Sequence, residues 1–313
     1  MGVFVLLPLL LPLTALPIAR LAERHLHPRV ATRLLSALAA VLAVCSTVCL
    51  ELLVFVGTVQ LPGHPLPDAW VDREEAPTTA PYEEAVGKGA VVALLAVAVS
   101  WSTALRRHRR VRRQAEHALA GVPDGELAVL PDEAAYAYAL PGVRGRIVVS
   151  TAMLAGLDAG ERAALVAHER AHLAGHHHRY LLAVRFAARA NPLLMPLRSA
   201  VAYTTERWAD EEAARVTGER RVVARAIGKA ALVSRGTPTP TLAGFAAPGP
   251  VPGPVPRRVA ALLQPAPSAA SWPPVRTAVG LAAWAAAAGT LGSALSSANA
   301  TVTLFLVLKA GPL

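Results

Sequence analysis

Charged residues are scarce in this chain of 313 amino acids, and several long stretches contain almost none. Asp, Glu, Lys and Arg make up 17% of the residues, 54% are hydrophobic, and the mean hydropathy is +0.41. The apolar residues are gathered in long blocks rather than spaced at the period of a helix or strand, which argues against two soluble domains. The composition therefore indicates a membrane protein.

Cysteines are also few in this chain. Cys45 and Cys49 are the only cysteines. They lie four residues apart in one apolar block, so we interpret them as packing residues that indicate nothing about redox compartment.

The arginine run RRHRRVRR at 106–113 contains no aromatic residues, which a nucleic-acid-binding surface would need between its basic ones. We therefore expect no nucleic-acid binding. Basic residues directly after a membrane span are instead expected for topology and for anionic headgroups.

Four apolar blocks are close to the roughly 20 residues that cross a bilayer. The first lacks the positively charged start and the cleavage site of a signal peptide, so we predict a retained helix, kinked by its three prolines. The last is either one span or a span followed by a packed tail. The predicted spans are 1–19, 34–57, about 86–105, and a stretch that begins after Arg276.

Loop charges predict the orientation of these spans. Basic residues dominate between the first two spans and directly after the third, whereas the 58–85 loop is acidic. By the positive-inside rule, the N-terminus and the 58–85 loop lie outside the cell membrane and the segment after the third span lies in the cytoplasm. We therefore divide the chain into a membrane region at 1–113, a cytoplasmic domain at 114–275, and a C-terminal span and tail at 276–313.

We predict that the cytoplasmic domain begins with extended segments, which are followed by helices. ELAVLPDEAAYAYAL and RIVVST flank a turn at Pro141–Gly142, and AAYAYAL resembles a half-exposed strand. A helix is predicted from Asp158 to about Ala190, with a D-x-x-E cap at its start and Gly175 as a weak point. Further helices are predicted at 197–217 and 220–234 and over RRVAALLQ, and the Pro- and Gly-rich segment 236–256 is predicted to be a loop.

An H-E-x-x-H pattern lies in the middle of the first long helix of this domain. Residues four apart share one helix face, so His168 and His172 can bind one zinc ion. Glu169 lies beside them, where it can take a proton from a water molecule that the metal activates. Catalytic zinc needs a third protein ligand. The later helix offers Glu206 as that ligand and, four residues on, Asp210, which can orient a ligating imidazole.

These motifs resemble those of the gluzincin membrane peptidases. H-E-x-x-H, then E-x-x-A-D on a later helix, preceded by RIVVST and flanked by apolar spans, is similar to the HtpX-like enzymes. The 34-residue gap from His172 to Glu206 and the four-span layout are more similar to the peptidase part of BlaR/MecR-type sensors. The resemblance implies a multi-span α-helical membrane protein with an inserted α+β gluzincin-like zinc peptidase domain.

The same resemblance assigns roles to residues. It implies Zn²⁺ held by His168, His172 and Glu206, with Glu169 as general base and acid and Asp210 holding an imidazole. We expect no penicillin-binding sensor domain after the last span, so β-lactam sensing is not expected to carry over. The expected function is a zinc-dependent endopeptidase that hydrolyses a protein or peptide substrate at a cytoplasmic site, in signalling or membrane-protein turnover.

Two other interpretations compete with this one. A catalytically silent receptor or scaffold would keep the same domain without hydrolysis. An intramembrane protease is disfavoured because the polar residues that flank the motif are too costly to place in lipid. His176, His177 and His178 are expected to be solvated or to face the substrate rather than to bind metal, because three protein ligands already suit catalytic zinc. The substrate and the oligomeric state are left open.

Overall fold

The computed structural model describes residues 8–58, 81–119, 122–142, 145–234, 255–267 and 277–310. Three sequence-based predictions lie largely outside these residues: the start of the first span, the acidic loop at 58–85, and the Pro- and Gly-rich segment at 236–256. They stay predictions.

Long helices form the N-terminal part and the end of the chain. A 3-10 turn at Leu11–Thr14 leads into α1 (Ala15–His25), which is followed by α2 (Pro28–Thr58), α3 (Pro81–Ala118) and, at the end, α10 (Ala278–Ala310). Among the described residues, two helices are long and apolar enough to cross a membrane, over Pro28–Phe55 and Ala85–Gln114. They match the second and third predicted spans. The first and fourth predicted spans are not among them, so the four-span layout stays a prediction.

The bounds of these helices differ from the predicted ones for local reasons. The first helix does not end at residue 19 but continues to His25, because the next helix breaker is Pro28 and the residue before a proline avoids helical geometry. α3 continues through the arginine run to Ala118, because arginine is a good helix former. The basic run is therefore part of one long helix rather than a connection between two.

A three-stranded sheet opens the peptidase-like part of the chain. It consists of β1 (Leu127–Leu130), β2 (Ala137–Leu140) and β3 (Arg146–Ser150), in the order β1-β3-β2. β2 and β3 are antiparallel and flank the predicted turn at Pro141–Gly142, whereas β1 runs parallel to β3.

The prediction that β2 is half-exposed is wrong. Tyr138, Ala139 and Leu140 are all buried. Tyr138 and Leu140 pack in one apolar cluster with Leu119, and Ala137 contacts a second cluster that contains Met153. Both faces of the strand are therefore covered.

Helices α4 (Thr151–Ala155), α5 (Ala159–Ala174), α6 (His177–Ala190), α7 (Met195–Thr217), α8 (Arg220–Val233) and α9 (Val255–Leu262) follow the sheet. The predicted cap of α5 is present, because Asp158 and Glu161 exchange reciprocal side-chain to backbone hydrogen bonds of 2.8 and 3.0 Å. The predicted weak point at Gly175 is a complete break, with the next residue, His176, in the left-handed conformation (φ 50°). α7 ends as predicted at Gly218, whose φ of 74° suits glycine.

Helix α7 is the centre of the molecule. One of its faces packs with α1, α2 and α6 in an apolar cluster that includes Leu35, Val184 and Leu197. Its C-terminal half packs with α5, α8 and α9 in another cluster. A buried hydrogen bond of 2.9 Å joins Thr204 to Thr32 of α2. Because α7 is held on several sides, the acidic residues of its central turns have a fixed position relative to α5.

Candidate metal centre

The two histidines of the H-E-x-x-H motif meet on the buried face of α5. Alanines around the motif favour the helix, and the capping box fixes where it begins. The four-residue spacing places both imidazoles on one face, with their Nε2 atoms 3.1 Å apart. His168, Glu169 and His172 are all buried.

Helix α7 brings Glu206 to the same place. Its two carboxylate oxygens lie 3.5 Å from Nε2 of His168 and 3.5 Å from Nε2 of His172. One ligand atom from each of the three residues lies within 4.8 Å of the others. Tetrahedral zinc about 2.0–2.1 Å from each donor requires donor atoms on the order of 3.3 Å apart. The three side chains therefore fit a zinc ion.

Asp210 lies one helical turn beyond Glu206 and supports the first imidazole. It is completely buried, and its Oδ1 is 3.0 Å from Nδ1 of His168. Burial opposes a charge on His168, but its hydrogen bonds with Asp210 and Glu206 raise its pKa to about 10. A carboxylate on Nδ1 fixes the ring so that Nε2 points at the metal position.

Arg258 of α9 is a residue of this site that the sequence analysis missed. Its Nε and Nη2 donate to the two oxygens of Asp210 at 2.8 and 2.6 Å, and its Nη1 lies 2.9 Å from Oε2 of Glu206. Burial alone would raise the pKa of both carboxyls. Arg258 outweighs it and holds the pKa of Glu206 and of Asp210 below their usual range. The arginine thus keeps two buried carboxylates ionised.

His177 supports the second imidazole, and its expected solvated position is wrong. The side chain is completely buried, its Nδ1 lies 3.0 Å from Nδ1 of His172, and its ring packs on Trp208 with centroids 4.4 Å apart. Burial lowers the pKa of His177 to about 2 and that of His172 to about 4, so both rings are neutral. With Nε2 of His172 directed at the metal position, its Nδ1–H donates to His177.

The break between α5 and α6 explains how His177 reaches the site. A continuous helix would place a residue five positions after His172 about 140° around the axis. The turn at Gly175 and His176 instead brings the first residue of α6 back toward α5. The neighbouring His176 is exposed, and its ring contacts that of His178. The run of three histidines thus contributes one residue to the site.

Glu169 lies next to the three candidate ligands. Its carboxylate accepts a hydrogen bond from the backbone of Ala139 in β2, and its Oε2 has no hydrogen-bond partner among the described residues. Burial raises its pKa to about 7. A buried carboxyl that gains and loses a proton near neutral pH suits a general base.

The site residues fall within a recognised family domain. The model of Peptidase family M48 matches residues 102–269, a little over half of the chain, and the chain therefore belongs to this family. No curated protein and no solved structure matches the chain. The match confirms the expected gluzincin-type metallopeptidase class.

Proposed function

We propose that this M48-family chain is a membrane-embedded zinc-dependent endopeptidase that cleaves a protein or peptide substrate at a cytoplasmic site. The observation that carries the proposal is the convergence of His168, His172 and Glu206 beside the buried carboxyl of Glu169. Three ligands leave one coordination position for reaction, which is typical of catalytic rather than structural zinc.

The side chains around the ligands would hold zinc in a fixed geometry. Asp210 and His177 each engage the Nδ1 atom of one ligating imidazole, so both Nε2 atoms are directed to one point. Arg258 fixes Glu206 through Oε2 and offsets one of the two negative charges of Glu206 and Asp210. When bound, zinc supplies the Lewis acidity that activates a water molecule and polarises a peptide carbonyl.

Glu169 is the residue that moves the proton. As general base it would take a proton from the attacking water, and as general acid it would pass that proton to the leaving amine. Two observations support this role. The hydrogen bond from the backbone of Ala139 holds the carboxylate in place, and Oε2 has no partner among the described residues, so it can accept the proton.

Strand β2 supports a peptide as the substrate. It lies at the end of the strand order, so its second edge pairs with no other described strand. The same strand carries Ala139, which contacts Glu169. An extended peptide paired along this edge would pass directly beside the proposed general base.

Membrane embedding is supported by the exposure of α3. The core helix of a soluble protein can also be long and apolar enough to cross a membrane, but such a helix is mostly buried. In α3, only 17% of the apolar segment is buried. Val92, Leu95 and Val99 are each more than 60% exposed. Such a continuous apolar surface is costly in water and favourable in lipid. We propose the membrane region at 1–113, the cytoplasmic peptidase domain at 114–275 and the C-terminal span at 276–313 on this basis and on the loop charges.

The proposed roles are signalling, as in the BlaR/MecR-type sensors, or turnover of membrane proteins, as in the HtpX-like enzymes. A silent scaffold is the alternative function. It is disfavoured by the complete set of candidate ligands with Glu169, since a scaffold has no use for a buried carboxyl oxygen without a hydrogen-bond partner, which costs free energy.

The test compares zinc content and hydrolysis in the same preparations. Glu169→Gln should retain one zinc per chain by mass spectrometry and lose about 10²–10⁴-fold of its rate on a peptide library. His168→Ala should lose both. His176→Gln is the control, because this exposed histidine lies outside the site. Hydrolysis that survives in Glu169→Gln, or wild-type protein that binds zinc and cleaves nothing, would overturn the proposal.

A further inference from the structure

A cavity with several charged lining residues lies between α1, the start of α7 and α9. Its volume is about 620 Å³, and its charged lining consists of Arg20, Arg24, Arg257 and Glu23. Three guanidinium groups against one carboxylate leave an excess of positive charge. An excess of fixed positive charge around a concave surface attracts an anionic group.

The three arginines differ in how they are held. Arg257 is paired with Oε2 of Glu23 at 3.0 Å, and its guanidinium lies 4.3 Å from the centre of the Tyr203 ring. Arg20 and Arg24 lie one turn apart on α1, both exposed, and neither has an ion-pair or hydrogen-bond partner among the described residues. Arg257 is thus a fixed donor, whereas the other two have all their donors available for a ligand.

Helix α7 connects this cavity to the metal centre. Ser199 lines the cavity, and Tyr203 and Glu206 follow it at positions i+4 and i+7, so the three residues share one helix face. Seven residues of helix span about 10 Å. On α9, Arg257 of the cavity is followed directly by Arg258 of the metal centre. About three residues of an extended peptide span the distance between the two places.

We propose that the cavity binds the carboxylate side chain of an aspartate or glutamate in the substrate, about three residues from the bond that is cleaved. The distance follows from the roughly 3.3 Å that each extended residue spans. The inference rests on the proposed peptidase function and adds the class of substrate to it. A carboxylate is the group that a guanidinium fork binds best in a peptide. The short distance along α7 between Ser199 of the cavity and Glu206 favours a substrate group over a lipid headgroup.

The experiment uses the purified chain in detergent, loaded with zinc, and peptides in which a single glutamate is moved from four residues before to four residues after the cleaved bond. We expect glutamate at one position, about three residues away, to raise kcat/KM about tenfold over glutamine, as one charge-assisted pair allows. In the double variant Arg20→Glu/Arg24→Glu this ratio should fall to about one, and lysine at that position should become the better residue.

A charge-matched control separates the cavity from the overall charge. Arg162→Glu/Arg221→Glu makes the same change in net charge at exposed positions in the first turns of α5 and α8, where acidic residues are tolerated. It should keep the preference for glutamate. The same ratio in all three proteins, or no preference in the wild type, would overturn the inference. So would a double variant that keeps the preference and instead loses binding to vesicles with anionic phospholipid, because the cavity would then hold a headgroup.

Binding distinguishes this inference from the function on which it rests. The affinities of the glutamate and glutamine peptides for zinc-loaded Glu169→Gln protein can be measured by fluorescence anisotropy without turnover. If no peptide is cleaved by the wild type but the glutamate peptide still binds about tenfold more tightly, the cavity is supported and the peptidase proposal fails. If peptides are cleaved and both bind equally, the cavity assignment fails alone.

Discussion

Replacing Gly175 by alanine tests whether the break between α5 and α6 serves the metal centre. The φ of −77° at this residue is open to any amino acid, so the backbone alone does not require glycine. A Cβ there would lie 2.5 Å from Cδ2 of His177, closer still to its Nε2, and 3.0 Å from the carbonyl oxygen of Ala171. Alanine can therefore be accommodated only if the imidazole moves.

Two opposing terms set the size of the effect. Gly→Ala at an ordinary φ stabilises by about 0.4–1 kcal/mol through the unfolded chain. Overpacking a well-filled site costs about 1–3 kcal/mol. The steric term should win, because the ring of His177 is completely buried between His172 and Trp208 and has no space to rotate into. We expect net destabilisation by about 1–2 kcal/mol, and a zinc affinity about 10–100-fold lower because His172 loses its partner.

The assay is thermal unfolding of the metal-free protein together with zinc titration against a competing chelator. Gly228→Ala is the matched control, because a Cβ at this glycine in α8 meets no atom within 4 Å. That variant should be unchanged or about 0.5–1 kcal/mol more stable, with the zinc affinity of the wild type. If Gly175→Ala matched Gly228→Ala in both measurements, the link between the helix break and His172 would be wrong.

The remaining predictions concern buried charge and metal. Arg258→Met leaves Glu206 and Asp210 without their cation, so the Tm of the chelator-treated variant should fall by more than that of the zinc-loaded variant; equal losses would contradict this role. Removing zinc from the wild type should lower its Tm, and zinc at 100 times Kd should restore about 2.7 kcal/mol of stability, which titrated calorimetry can check. Lys229→Met removes the 2.7 Å partner of the buried Glu161 and should destabilise by about 1–3 kcal/mol in chemical denaturation, without a change in zinc affinity.

Local signals in the sequence were sufficient for the elements that carry the ligands. The capping box at Asp158 and the glycine after Thr217 predicted where α5 begins and where α7 ends, because both depend on short-range hydrogen bonds and backbone conformation. The spacing of the H-E-x-x-H motif predicted that the two imidazoles share a face, which follows from helix geometry alone. The roles of the ligands stay predictions, although the structure brings all three together.

Tertiary packing decided what local patterns could not. The alternation in AAYAYAL predicted a strand with one solvent-exposed face. In the structure, α4 and α5 cover one face of β2 and Leu119 covers the other. A run of three histidines looks like a solvated polar stretch, and only the turn at Gly175 selects His177 for burial. The glycine was visible as a weak point, but the direction of the chain after it was not.

Arg257 and Arg258 show most clearly what a local sequence pattern cannot predict, because they are identical neighbours with different partners. Successive residues of a helix point about 100° apart, so one guanidinium faces Asp210 and the other faces Glu23. A rotation of α9 by one residue would exchange the two roles. The sequence does not encode that rotation locally; it is set by the contacts of α9 with α7 and α8, which bury Leu262. Helix α9 therefore supplies Arg258 to the metal centre and Arg257 to the neighbouring cavity.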